Sequence, residues 1–197
     1  MSAWTPSDTV LDACRAHEEA HKKLVEEGGA KDAEIEDEYA RKIIPHAELR
    51  WRYFESKDAE VWIKMVAAHE TLRNFLEPKR DQRIFRAVKT LRVTMPPPSE
   101  GHPKGTVRIE FTANPNPFFS ATKFYRELDY ATGALVSMTP LGWKDKSDGS
   151  FFDMFDLSKE DTLALEKDPA VLATHLQFAE GMVEMYTANI HIQGPMA

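Results

Sequence analysis

Apolar positions recur with one period in the first part of this chain and with another in its middle, and the change divides it. From Asp8 to Glu27 the residues are mostly charged and free of Pro and Gly, with Val10, Leu11, Cys14, Leu24 and Val25 as sparse apolar positions. Gly28-Gly29 reads as an interruption, because each glycine costs a helix about 1 kcal/mol relative to alanine. A second charged run, Lys31 to Ile44, sets Ile35, Tyr39 and Ile43 four apart on one stripe, which continues roughly through Ala47, Trp51 and Phe54. Pro45 fits there only at a kink or at the start of a new segment. So narrow a seam on a long polar helix buries too little to be stable alone. It calls for a partner helix, and a two-fold copy of itself is the simplest one. A helix lying across its own domain is the alternative.

Glu60 to Leu76 reads as one amphipathic helix, with Val61, Trp62, Met65, Val66, His69, Leu72 and Leu76 at helical spacing. Pro78 follows its end, and Asp81 starts a shorter helix with Ile84, Phe85 and Val88 inward. The period then becomes two. Leu91, Val93 and Met95 alternate with Thr90, Arg92 and Thr94, and Val107, Ile109 and Phe111 with Arg108, Glu110 and Thr112. A Pro- and Gly-rich loop, Pro96 to Gly105, joins these strands, and Asn114-Pro115-Asn116-Pro117 is a turn. Lys123 to Tyr130 alternates again, and Ala134 to Met138 is a fourth strand after a turn at Gly133. Strands joined by turns form an antiparallel meander, so the expected class is α+β. The last third is helical: Ser158 to Asp161 has capping-box form, and Asp168-Pro169 reads as an N-cap with proline at the first helical position. The helix that follows buries Leu172, Leu176, Ala179, Val183 and Tyr186.

A length of 197 residues suits one ordinary domain, and 42% apolar with 29% charged residues is a soluble globular balance. No run of 18 apolar residues occurs, so no membrane-spanning helix is expected. Met1 to Asp12 has neither a basic nor an apolar leader region, which argues against secretion. The single cysteine, Cys14, excludes an intrachain disulfide and a Cys-rich zinc module. Charge is uneven: residues 1–60 carry a net −6, residues 61–105 a net +5 and residues 106–197 a net −6, for −7 in all. An acidic chain repels nucleic acid on average and favours a basic partner.

Candidate chemistry is sparse. His17-Glu18-Glu19-Ala20-His21 satisfies H-E-x-x-H, whose histidines share a helical face and could hold zinc with Glu18 as base. The segment is solvated and no specific third ligand follows, so a zinc hydrolase is the remote reading. His69 lies on an apolar helical face, where a hydrogen-bonded core histidine is the commoner case. No phosphate-loop, dinucleotide or nucleophile-elbow pattern occurs, and no cofactor, metal or catalytic residue is implied. What stands out is acid. Asp145, Asp148, Asp153, Asp156, Glu160, Asp161, Glu166 and Asp168 face only three lysines in their stretch, and Glu180 and Glu184 lie four apart on the last helix. An ordinary solvated face accounts for this composition; a surface that docks a cationic protein accounts for it too.

Four blocks then carry a resemblance. Thr106 to Phe119 with Ala121 to Arg126 resembles the NAP/SET family of histone chaperones, in which a strand ends in F-x-x-N-P-Y-F before a Lys-containing strand. Phe111, Asn116, Pro117 and Phe119 fit that pattern, Phe118 replaces its Tyr, and Asn114-Pro115 are two extra residues in the turn. Upstream, Trp62, His69 and Leu72 are in register with the family's F-W…H-P-x-L stretch. Downstream, Pro140 to Lys144 is similar to its I-x-W-K segment and Ser150 to Phe155 to its S-F-F-x-W-F segment. The blocks span roughly residues 40–156, in the family's order. Asp58 to Trp62 departs from the family's I-P-x-F-W entry, and Gly28-Gly29 bears on the length of the dimer helix.

The resemblance implies a long N-terminal helix pairing with its two-fold mate, then an α+β domain with a four-stranded antiparallel sheet packed with helices. It divides the chain into a dimerisation region, 1–57, and a histone-binding domain, 58–197. It places Ile35, Tyr39 and Ile43 near the dimer interface and makes the ten acids named above candidates for an acidic histone-binding underside. It implies a non-enzymatic homodimer that binds core histones, assists nucleosome assembly and works in the nucleus, with shuttling through the cytoplasm. Neither a membrane nor sequence-specific nucleic acid is an implied partner. The absence of an acidic tail after the last helix is most similar to the short fungal branch that assists a histone acetyltransferase. An adaptor of the same fold, chiefly engaging that enzyme, is the alternative.

Overall fold

The computed structural model describes residues 8–102, 104–144, 149–156 and 168–188. Its elements are helix α1 (Asp8–Glu55), α2 (Val61–Ala68), a 3₁₀ turn (Leu72–Phe75), α3 (Pro78–Phe85), strands β1 (Val88–Thr94), β2 (Thr106–Ala113), β3 (Lys123–Asp129) and β4 (Leu135–Met138), a second 3₁₀ turn (Phe151–Phe155) and α4 (Pro169–Thr187). The chain forms two compact units, Met1–Tyr39 and Ala40–Ala197.

The first unit belongs to α1. Every side chain from Arg15 to Asp32 is exposed, and Leu24, Val25, Ile35 and Tyr39 are large apolar groups open to solvent. The helix runs unbroken through Gly28-Gly29, and later through Pro45, so neither is the interruption their types suggest. Good helix formers flank the glycines, and their summed preference outweighs two local costs. The proline costs one helical hydrogen bond, while Ala40, Ile44, Ala47 and Trp51 around it bury one stripe in the core of the second unit.

The second unit is built on a four-stranded antiparallel meander in the order β1-β2-β3-β4. Register pairs Leu91 with Phe111 and Phe111 with Phe124, so one inner face carries an apolar column across three strands. The Phe111 and Phe124 rings stack 5.4 Å apart. Phe152 and Phe155 pack against both rings, and Phe178 of α4 meets Phe151 and Phe155. Trp51, Trp62 and Tyr186 form a second aromatic cluster, and the Trp51 indole donates to the Tyr186 carbonyl at 2.7 Å.

Two boundaries differ from the sequence reading. The helix expected over Glu60 to Leu76 ends at Ala68: His69 is extended, and its Nδ1 accepts from the Leu72 N–H at 3.3 Å. A side chain that satisfies a backbone donor competes with the helix ladder. Helix α3 begins at Pro78 rather than Asp81, with Glu77 as N-cap accepting from the Arg80 N–H. Asp81 is instead fully buried, accepting from the Ser150 hydroxyl at 2.5 Å and from the N–H groups of Phe151 and Glu77. Burial pushes its carboxyl pKa up, against the pull of those three donors. The capping box expected at Ser158–Asp161 lies outside the described residues; one does form at Ser150–Asp153.

Candidate acidic docking cleft

The early end of α2 shapes an acidic concavity of the second unit. After His69 the chain folds into the 3₁₀ turn, which lies against α4. Gly181 makes the approach possible, since a Cβ there would stand 3.0 Å from Leu72 Cδ2, and Leu72 is fully buried. Beneath, Phe75 and Phe178 meet edge to face at 5.3 Å. Between the two elements lies a cleft of about 390 Å³, lined by Glu70, Thr71 and Asn74 on one side and Gln177, Glu180, Gly181 and Glu184 on the other. The α4 residues follow the i, i+3, i+4, i+7 spacing of one helix face.

Three carboxylates, two amides and a hydroxyl line this cleft, and no Lys or Arg does. Glu184 lies 3.4 Å from His69 Nε2 but stays largely exposed. Carboxylates and amides lining one cleft on packed backbone suit an incoming ammonium or guanidinium group.

The structure sorts the sequence candidates by position. Glu180 and Glu184 line the cleft. Asp153 does not: its Oδ2 accepts from the N–H groups of Gly149 and Ser150 at 2.8 Å, closing the capping box. Asp168 caps α4 through the Ala170 N–H at 2.9 Å, and Asp156 follows the second 3₁₀ turn as its C-cap. Asp145, Asp148, Glu160, Asp161 and Glu166 lie outside the described residues. Ile35 and Tyr39 are exposed, and Ile43 is half-buried. His17, Glu18 and His21 are all exposed on α1, and among the described residues no three His, Cys, Asp or Glu side chains gather as a metal site. Glu70, Thr71, Asn74 and Gln177 were not singled out by sequence. Only the fold of the chain after His69 brings the first three to α4, where Gln177 lies, and composition carries no trace of that.

A long helix leading into an α+β domain with a β1-β2-β3-β4 meander defines the fold of the nucleosome assembly proteins. Among solved structures, the chain is similar to a nucleosome assembly protein of a malaria parasite, at 16% identity and a TM-score of 0.53, covering 90% of this chain and 94% of that one. It is similar to Ccp1 at 19% identity and a TM-score of 0.52, over 86% and 97% of the two chains. It is similar to the Vps75 histone chaperone at 18% identity and a TM-score of 0.50, over 87% and 96%. No protein-family model matches the sequence, and no curated protein matches it.

Proposed function

We propose that this protein is a histone chaperone: a non-catalytic homodimer that holds core histones against an acidic surface and assists nucleosome assembly in the nucleus. The observation that carries the reading is the cleft of Glu70, Glu180 and Glu184, free of lysine and arginine along its lining, on a fold shared with structures described as nucleosome assembly proteins and a histone chaperone. Its polar groups fit Lys and Arg side chains of a basic protein. Binding is then chiefly electrostatic and weakens as salt screens it.

Light scattering during size-exclusion chromatography, with core histones at about 0.15 M and about 0.5 M salt, tests this. A dimer that takes up histones at the lower salt and releases them at the higher is expected. Glu70→Gln with Glu180→Gln and Glu184→Gln should weaken uptake about tenfold or more while leaving the melting curve in place, because these side chains line a solvent-filled cleft. Undiminished uptake by the triple variant rejects the cleft. A dimer that ignores histones moves the function to an adaptor for a histone-modifying enzyme.

A further inference from the structure

The positive middle of the sequence has a structural counterpart away from the acidic cleft. Helix α3 carries Lys79, Arg80 and Arg83 within one turn, at positions that share a side of the helix. The Arg83 guanidinium lies 5.3 Å from the Phe118 ring centre, and that of Arg80 lies 4.7 Å from the Trp143 ring centre. The two rings belong to one small knot of chain. The Phe118 carbonyl accepts from the Lys144 N–H at 2.8 Å, Phe119 bridges to Trp143, and the Lys144 ammonium donates to the Asn116 carbonyl at 2.9 Å. Three exposed cations, Lys79, Arg83 and Lys144, and two aromatic rings thus share one surface, with Arg80 laid against Trp143 between them.

The Arg83 guanidinium, laid over the Phe118 ring, uses its face for that contact, while its N–H bonds lie in its plane. Such an arginine is already ordered, so it loses less entropy when it takes a carboxylate in a two-pronged hydrogen bond. We infer that this α3 face is a docking surface for an acidic, Asp- and Glu-rich segment of a partner protein. Charge decides against duplex DNA. Duplex binding draws its affinity chiefly from many phosphate contacts, about 6–10 in a strongly salt-dependent case. Three exposed cations fall short, and a chain of net charge −7 repels a long polyanion on average.

The test uses the full chain and a fluorescent peptide of alternating Asp and Glu, with its Asn/Gln counterpart as the neutral control, followed by anisotropy at about 0.1 M salt. Binding of the acidic peptide alone is expected, with at least a tenfold loss in the Lys79→Glu/Arg83→Glu variant. Both side chains are exposed, so the variant folds. Lys22→Glu/Lys23→Glu, an equal charge change on exposed α1 positions, should leave the affinity unchanged. Arg83→Lys should lose part of it, because an ammonium keeps the charge and not the planar fork. Equal losses in the two double variants, or tighter binding of a 20-base-pair duplex than of the peptide, overturn the inference. So does concentration-dependent self-association abolished by Lys79→Glu/Arg83→Glu, which makes the occupant another copy of this chain.

Discussion

Arg126 of β3 is fully buried beside Phe124 and Leu128 on the inner face of the sheet, where the strand pattern leads one to expect an apolar residue. Its guanidinium donates to the Met154 carbonyl and lies 3.0 Å from His175 Nδ1, and among the described residues no carboxylate pairs with it. Burial lowers its pKa to about 10, so it stays charged at neutral pH. Burial, with the neighbouring Arg126 charge, lowers His175 to about 4. The ring therefore serves as a neutral acceptor. The unfolded chain takes up a proton on this histidine near pH 6.5, whereas the folded chain resists it down to about pH 4. Stability should accordingly fall as pH drops from about 6.5 to about 4. Urea unfolding at pH 7.5 and pH 4.5 checks this: His175→Asn keeps an acceptor, removes the titration and should show a smaller loss. An equal loss in both proteins assigns the acid sensitivity to carboxylates instead. Neither role was legible from sequence, because alternation marks Arg126 as inward without saying what would receive its charge.

At the scale of elements, Glu55 ties three together. The last residue of α1, it receives both Arg92 nitrogens of β1 at 2.8 and 2.9 Å, the Leu91 N–H at 3.1 Å and the Trp62 indole of α2 at 3.1 Å. Its side chain is only 10% exposed. Glu55→Ala leaves a largely buried guanidinium short of its partner and should cost about 3 kcal/mol in chemical denaturation, the low end for a broken buried pair because Glu48 stands 3.7 Å from Arg92. Replacing both partners by methionine should cost less than the single change. A double variant as unstable as Glu55→Ala would show that the pairing itself, and not the stranded charge, is what matters. The elements that could be read from the chain were those whose pattern is local: the alternation of Val107, Ile109 and Phe111, the Asp168-Pro169 start of α4, the meander. Breaks set by a remote or competing hydrogen bond, as at His69, could not. Nor could the meeting of Glu70 with Glu180 and Glu184, which is a property of the fold after that break.

For the molecule as a whole, the class and order of elements followed from periodicity and the four resembling blocks, while the candidate acids were visible only as a region. Its members divide by use: Asp153 and Asp168 serve the backbone, Glu180 and Glu184 the cleft. Helix α1 carries a different consequence. Through the first unit, side chains from Arg15 to Asp32 are exposed, and the ion pairs Lys22–Glu26 and Lys23–Glu27 are long, at 3.9 Å, and solvated. Such pairs contribute about 0.3–0.5 kcal/mol each, too little to hold many turns of helix in water. If a second copy supplies the missing packing, mass action governs the helix. Circular dichroism at 222 nm, taken per residue, should then fall as the protein is diluted. Ile35→Asp with Tyr39→Asp should make the signal low at every concentration, and a wild-type signal indifferent to dilution would rule out pairing as its source. This stretch of chain is then a gauge of abundance, straight where the protein is plentiful and melted where it is scarce.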